Sequence, residues 1–301
     1  MSAQEEALCF AVIGTPIKHS LSAVLHTAVF EKLGLLWQTA LVDPGDSEGF
    51  AHLIEDIRTG AASYRGANIT IPYKETVIPF CAELSAAAAR CGAVNTLWRD
   101  GAGKLIGNNS DVGGFLEALK LELGLEAAKV QNAVICGAGG VARAIASALA
   151  SAGVGELTIL SRSEGRAEDF IKSLCCKDEK TIWRGASYAD ISRTINSDER
   201  FDLCVNATPL GMLNDATQEM PQELLELIRR QARRLFDVVY RRDEPTALVR
   251  WARKQGIPAT DGLAMLIEQA IISLRLWGVP AEPEPLRVIM REALADEGIT
   301  R

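Results

Sequence analysis

Two residues in the first part of the chain are of types that can move a proton, Lys74 and Asp111. Lys74 closes the run GANITIPYK (Gly66 to Lys74), and Asp111 closes NNSD (Asn108 to Asp111). An ammonium donates a proton to an oxygen that gains negative charge, and a carboxylate beside it orients that ammonium. Polar residues interrupt apolar surroundings near both. Ser20 and Ser22 flank Leu21 shortly after Gly14-Thr15-Pro16. Asn68 and Thr70 alternate with Ala67, Ile69 and Ile71, which puts both on one face of a strand near its end. Asn95 sits inside GAVNT (Gly92 to Thr96). Each residue also has a plainer use. Paired serines cap helices, asparagines serve turns, and a lysine is ordinarily a solvated surface charge. Taken together, the set suits a pocket for a small polyhydroxylated or carboxylated molecule.

A second group suits a nucleotide. Gly137, Ala138, Gly139, Gly140, Val141 and Ala142 fit G-x-G-x-x-G/A between an apolar run and a helix of small residues. Gly137 permits the tight turn, Gly139 lets the backbone approach a pyrophosphate, and Ala142 lets the helix lie close to the sheet. The plainer alternative is a tight turn without a ligand. An NAD site carries Asp or Glu at the end of the next strand, about 20 residues further on. Here that place reads Ser161, Arg162, Ser163, with Arg166 following. Guanidiniums and hydroxyls suit the 2'-phosphate of NADP. The alternative is a pair of solvated arginines, and Glu164 between them is a countercharge.

The elements that must position these groups alternate between strand and helix. Short apolar runs predict strands at Leu8–Ile13, Trp37–Val42, Ala67–Ile71, Ala93–Trp98, Asn132–Cys136, Leu157–Leu160, Leu203–Asn206 and Leu235–Val239. Helical spacing covers Ser20–Leu33, Phe50–Thr59, a short stretch ending at Cys91, Phe115–Leu123, the segment from the glycine loop to Gly153, Met265–Leu276 and Pro285–Leu294. The polar stretch Cys175–Arg200 reads as surface loops. Such alternation predicts an α/β fold with mostly parallel sheets. At roughly 150 residues per domain, 301 residues predict two domains.

Composition narrows the function. Apolar residues at 48% and charged residues at 24% are ordinary for a globular chain and argue against disorder. A formal charge of -7 argues against nucleic acid or an anionic membrane surface as partner. Cys9, Cys81, Cys91, Cys136, Cys175, Cys176 and Cys204 are scattered without a C-x-x-C pair, so neither a disulfide framework nor a zinc ribbon is expected. His19, His26 and His52 form no ligand motif, so no metal is expected. The acidic start MSAQEEALCF does not read as a signal peptide, and no apolar stretch reaches about 18 residues free of charge. The expectation is a cytoplasmic protein that acts on a small molecule.

The ordered strings GTPIKHSLS, GANITIPYK, GAVNT, NNSD, GAGGVAR, NATPLGM, DVVY and DGLAMLIEQA resemble the shikimate and quinate dehydrogenases along nearly the whole chain. The resemblance implies a two-domain α/β fold. An N-terminal α/β substrate domain, 1–111, would be completed by C-terminal helices in 263–301. A doubly wound Rossmann-like NADP domain would span 112–262. It implies Lys74 and Asp111 as the catalytic pair, and Ser20 and Ser22 on the substrate carboxylate, with Tyr240 near it. Asn68, Thr70, Asn95, Asp111 and Gln269 would hold the ring hydroxyls. It also implies Gly137 to Ala142 on the pyrophosphate, Ser161, Arg162, Ser163 and Arg166 around the adenosine phosphate, and Asn206, Thr208, Gly262 and Met265 on the nicotinamide side. The implied reaction is hydride transfer between NADP and a cyclic hydroxy acid, in a monomer or homodimer. Lys18, Ala23, Asn108, Ser110 and Ser161 depart from the family pattern. The extra charge of Lys18 near the serines keeps quinate and aminoshikimate open beside shikimate. A non-catalytic dinucleotide sensor of the same fold is the other alternative.

Overall fold

A computed structural model describes residues 7–18, 20–174, 180–211 and 220–299. His19, Cys175, Cys176 and Met212 lie outside them. The chain divides into two compact units, Met1–Gly114 with Leu266–Arg301, and Phe115–Met265.

The first unit is built on a mixed sheet of β1 (Cys9–Ile13), β2 (Gln38–Val42), β3 (Tyr64–Ile69), β4 (Glu83–Leu84), β5 (Thr96–Arg99) and β6 (Leu105–Asn108). Their order is β2-β1-β3-β5-β6-β4. β1 runs parallel to both its neighbours, whereas β5 is antiparallel to β3 and β6, so this sheet is less parallel than expected. Helix α1 (Ser22–Lys32) joins β1 to β2, and α2 (Ser47–Thr59) joins β2 to β3. Asp46 caps α2 by accepting from the Gly49 amide at 2.8 Å, which extends the helix a turn before the expected Phe50. Helix α3 (Ala86–Cys91) starts at a Ser85 cap. Phe50, Ile54 and Ile57 of α2 pack with Ile13, Ile69 and Leu97 on one face of the sheet. On the other face Trp277 stacks on Phe10 at 4.4 Å and donates from its indole to the Leu97 carbonyl at 3.0 Å. That contact ties the C-terminal segment into the first unit.

Two local differences bear on the site. β3 stops at Ile69 rather than Ile71, because Pro72 has no N–H for a ladder and Ile71 is exposed. Thr70 therefore follows the strand, although its amide still donates to the Ile13 carbonyl at 2.9 Å. Helix α4 (Ser110–Leu123) begins five residues before the expected Phe115, which puts Asp111 in its first turn, where a helix favours a negative charge.

The second unit holds a parallel sheet of β7 (Asn132–Cys136), β8 (Glu156–Ser161), β9 (Ile182–Ser187), β10 (Leu203–Asn206), β11 (Leu235–Asp237) and β12 (Ala259–Thr260). The order β12-β11-β10-β7-β8-β9 is that of a doubly wound dinucleotide fold, with its switch point between β7 and β10. Helices α5 (Gly140–Ser151), α6 (Arg166–Ser173), α7 (Ile191–Thr194), α8 (Gln222–Gln231) and α9 (Ala247–Lys254) follow in chain order. The stretch read as surface loops contains β9 and α7, with Tyr188 and Ile191 buried. Its polar look is misleading, because Arg184 is paired with Glu156 and with Glu199, the latter at 2.7 Å. Helices α10 (Leu263–Leu276) and α11 (Pro283–Asp296) end the chain, and α11 packs on α1. Among the described residues no helix is long and apolar enough to cross a membrane.

Candidate active site

The loops after the parallel strands β1 and β3 are neighbours, and they carry Ser20, Thr70 and Lys74. The Thr15 amide donates to the Ile71 carbonyl at 3.0 Å. A side chain on Gly14 would strike Thr70, its Cβ landing 2.2 Å from Cγ2. In open α/β sheets ligands bind beyond the carboxyl ends of the strands, which is where this pair of loops lies.

Ser20 and Ser22 do not cap α1. The N-cap position is Leu21, without a side-chain hydrogen bond, and Ser20 Oγ accepts from the Ser22 amide at 3.3 Å. Lys18 is exposed, and its charge is felt at Asp43. The Asp43 carboxyl is held below its ordinary range first by the Thr15 hydroxyl, which donates at 2.7 Å, then by the Gly45 amide and by Lys18.

Lys74 Nζ donates to Asp111 Oδ2 at 2.6 Å, with side-chain exposures of 14% and 9%. This pair is therefore largely withdrawn from water, unlike the solvated lysine of the plainer reading. Asp111 receives no other side-chain donor among the described residues, and its amide donates to Asn109 Oδ1 at 3.1 Å. Asn109 in turn donates to the Ala93 carbonyl at 2.9 Å and anchors the start of α4.

Behind this pair lies a buried polar network. Asn95 Oδ1 accepts from the Ser110 amide at 2.7 Å and from the Thr96 hydroxyl at 2.9 Å. Ser110 Oγ donates to Gln269 Oε1 at 3.3 Å. Asn68 Nδ2 reaches Ser273 Oγ at 2.9 Å, and both Thr96 Oγ1 and the Asn95 carbonyl at 3.2 Å. Asn68 Oδ1 is buried without a partner. Asn68, Asn95, Asp111 and Gln269 are thus brought together. Thr70 is half-buried close to them in sequence, and its hydroxyl is not a member of this network. Thr96, Ser110 and Ser273 are the members that sequence reasoning does not assign to the site. Ser273 follows Gln269 by four residues, one helical turn, and that spacing is its one signal in the sequence. His26, buried 5.2 Å from the Trp277 ring, is lowered by burial to about 3 and serves no proton chemistry at neutral pH.

In the second unit the glycine loop has the shape its residues predict. Gly137 has φ +118°, and a Cβ there would lie 2.7 Å from the Ala207 carbonyl oxygen, so the ends of β7 and β10 touch at the switch point. A Cβ on Gly139 would meet nothing within 4 Å, and Gly139 caps α5 without a side-chain bond. The first amides of α5 are left for an anion. Ala142 is fully buried. Arg162, Ser163 and Arg166 are exposed at the end of β8, with Arg166 opening α6. No ion pair joins Glu164 to either arginine among the described residues. Ser161 is buried, and its hydroxyl donates to the Ser163 carbonyl at 2.8 Å. That bond shapes the turn after β8. The glycine loop and the two arginines fit a dinucleotide with a phosphate on its ribose.

Asn206 and Thr208 bind each other, with the Thr208 hydroxyl donating to Asn206 Oδ1 at 2.6 Å. Asn206 Nδ2 donates to Asp237 Oδ1 at 2.8 Å, and Thr246 donates to Asp237 Oδ2 at 2.6 Å. Burial pushes the Asp237 carboxyl up to about 7 in spite of these bonds. The Asn206 amide is thus committed to holding its loop. Gly262 lies against Val238, whose carbonyl oxygen would be 2.1 Å from a Cβ. Met265 is buried, and Tyr240 is half-buried three residues after β11. No group of three or more metal-ligating side chains occurs among the described residues.

Dehydrogenases that use a nicotinamide dinucleotide are built on these parts, a doubly wound sheet for the cofactor and a second unit for the substrate. Residues 12–97 match the shikimate dehydrogenase substrate binding domain, and residues 120–238 match shikimate / quinate 5-dehydrogenase. The chain is 36% identical to the shikimate dehydrogenase (NADP(+)) of Microcystis aeruginosa, over 94% of each chain. It is 37% identical to that of Rubrobacter xylanophilus, over 97% of each. It also resembles the crystal structure of shikimate 5-dehydrogenase from Thermus thermophilus in complex with NADP(H) and shikimate. That match has a TM-score of 0.76 at 31% identity, over 95% of this chain and 99% of the other. The chain belongs to the shikimate dehydrogenase family.

Proposed function

We propose that this chain catalyses the reversible, NADP-dependent oxidation of shikimate to 3-dehydroshikimate, a cytoplasmic step toward chorismate and the aromatic amino acids. The observation that carries this reading is the Lys74–Asp111 contact of 2.6 Å in a mostly buried setting. A dinucleotide sensor could lose such a pair without harm.

When bound, NADP supplies the hydride acceptor, and its reduced form the donor. In reduction the carbonyl oxygen gains negative charge, and Lys74 Nζ stabilises it and gives it a proton. In oxidation the neutral amine of Lys74 takes the proton of the hydroxyl and becomes the ammonium. Asp111 Oδ2 fixes the direction of Nζ and is the next acceptor in line. Asn68 offers Oδ1, a buried acceptor with no partner, to a ring hydroxyl. Asn95, Thr70 and Gln269 serve the remaining hydroxyls. Ser20 and Ser22, free of a capping role, take the carboxylate, with Tyr240 near it. Gly137 to Ala142 hold the pyrophosphate, and Ser161, Arg162, Ser163 and Arg166 surround the 2'-phosphate. Asn206, Thr208, Gly262 and Met265 border the nicotinamide. Lys18, the residue behind the quinate and aminoshikimate alternatives, is exposed, and its charge is felt at Asp43.

The test is the appearance of reduced nicotinamide when purified protein meets NADP and shikimate. The expected result is turnover, with kcat/KM for shikimate above that for quinate and aminoshikimate. No turnover of any of the three from neutral to alkaline pH rejects the reading.

A further inference from the structure

We infer that Ser273 is a positioning residue of the substrate site, which sets the orientation of the Asn68 amide so that its oxygen faces the ligand. The inference rests on the reading of Asn68 as a substrate ligand and extends it to a residue that touches no substrate.

The placement of protons decides the orientation. Ser273 is fully buried on α10, one turn beyond Gln269. Its hydroxyl carries one proton, and the Gln269 carbonyl, 3.0 Å away, is an acceptor only. A hydroxyl that donates there presents lone pairs to its other neighbours. Asn68 Nδ2, which can only donate, lies 2.9 Å away, shorter than the 3.2 Å contacts of the same nitrogen with the Asn95 carbonyl and Thr96 Oγ1. The nitrogen end of the amide is therefore held inward, and Oδ1 is turned to the side where it has no partner. Thr96 Oγ1 and Ser110 Oγ also reach Ser273 Oγ, at 2.9 and 3.2 Å. Ser273 is thus the point at which the hydroxyls of β5 and α4, the amide of β3 and the main chain of α10 meet. A buried acceptor left open costs free energy unless a ligand fills it, so a fixed Oδ1 discriminates in favour of a molecule with a hydroxyl there.

The test is a double-mutant cycle of Ser273→Ala and Asn68→Ala, read by steady-state kinetics and thermal melting. Ser273→Ala is expected to raise KM for shikimate about tenfold, the size of one lost hydrogen bond in a buried site, with kcat and KM for NADP changed little. In the Asn68→Ala background the same change is expected to cost nothing further, because the group it positions is gone. An equal loss in both backgrounds, or none in either, overturns the positioning role. If Asn68→Ala raises KM while Ser273→Ala does not, the positioning role alone falls. If Asn68→Ala leaves KM unchanged, the reading of Asn68 as ligand falls and takes the inference with it. Should Ser273→Ala fail to fold, Ser273→Cys, with a weaker acceptor on a similar stem, is put through the same cycle.

Discussion

Lys74→Ala is expected to lower kcat by about 10²- to 10⁴-fold, the range for loss of a group that transfers a proton in the transition state. KM for shikimate should move far less, because Asn68, Asn95, Ser20 and Ser22 are left in place. The variant also leaves Asp111 without its counterion at 9% side-chain exposure. Breaking a buried pair costs about 3 to 5 kcal/mol, and the position of Asp111 in the first turn of α4 offsets part of that. Thermal melting should therefore shift down while the protein remains folded at the assay temperature. Steady-state rates on protein shown to be folded make the check. A near-normal kcat would mean that the proton is carried by another group.

The second large effect concerns the cofactor. Arg162→Ala is expected to reduce kcat/KM for NADP by roughly 10- to 150-fold, since one hydrogen bond to a charged group is worth about 1.5 to 3 kcal/mol. NAD, which lacks the phosphate, should be almost unaffected. The geometry supports this in two ways. Arg162 and Arg166 are exposed at the end of β8, and Glu164 forms an ion pair with neither of them among the described residues. Ser161, whose hydroxyl donates to the Ser163 carbonyl at 2.8 Å, shapes the turn that carries Arg162. Kinetics and direct binding of both cofactors to wild type and variant provide the comparison. A wild type that prefers NAD, or a variant that loses both cofactors equally, contradicts the assignment.

The parts legible in the sequence are those whose constraints are local. Gly137 is needed because its φ is positive and the Ala207 carbonyl leaves no room for a Cβ, and a glycine at the end of an apolar run signals that directly. Lys74 and Asp111 stand out because they close the strings GANITIPYK and NNSD, and the structure joins them. Harder to read are features set by distant partners. The Asn68–Ser273 bond links residues 205 apart in sequence, and no local pattern announces it. β9 is hidden because Arg184 looks like a solvated charge until Glu156 and Glu199 are brought to it. The start of α4 is hard to place because Asn109 and Ser110 read as loop residues, yet both are buried and bonded to Ala93 and Asn95. The Ser161 hydroxyl resembles its outward-facing neighbours in sequence, and only the turn geometry reveals its inward bond.

This chain moves a hydride between the hydroxyl-bearing ring carbon of shikimate and the nicotinamide of NADP. The direct measurement uses shikimate carrying deuterium on that carbon, incubated with NADP and the purified protein, followed by mass analysis of the reduced nicotinamide. Deuterium is expected on the reduced cofactor in one-to-one proportion with the 3-dehydroshikimate formed, and its appearance should slow in step with kcat in Lys74→Ala. Reduced cofactor without deuterium, or no product at all from folded wild-type protein, would contradict the claim.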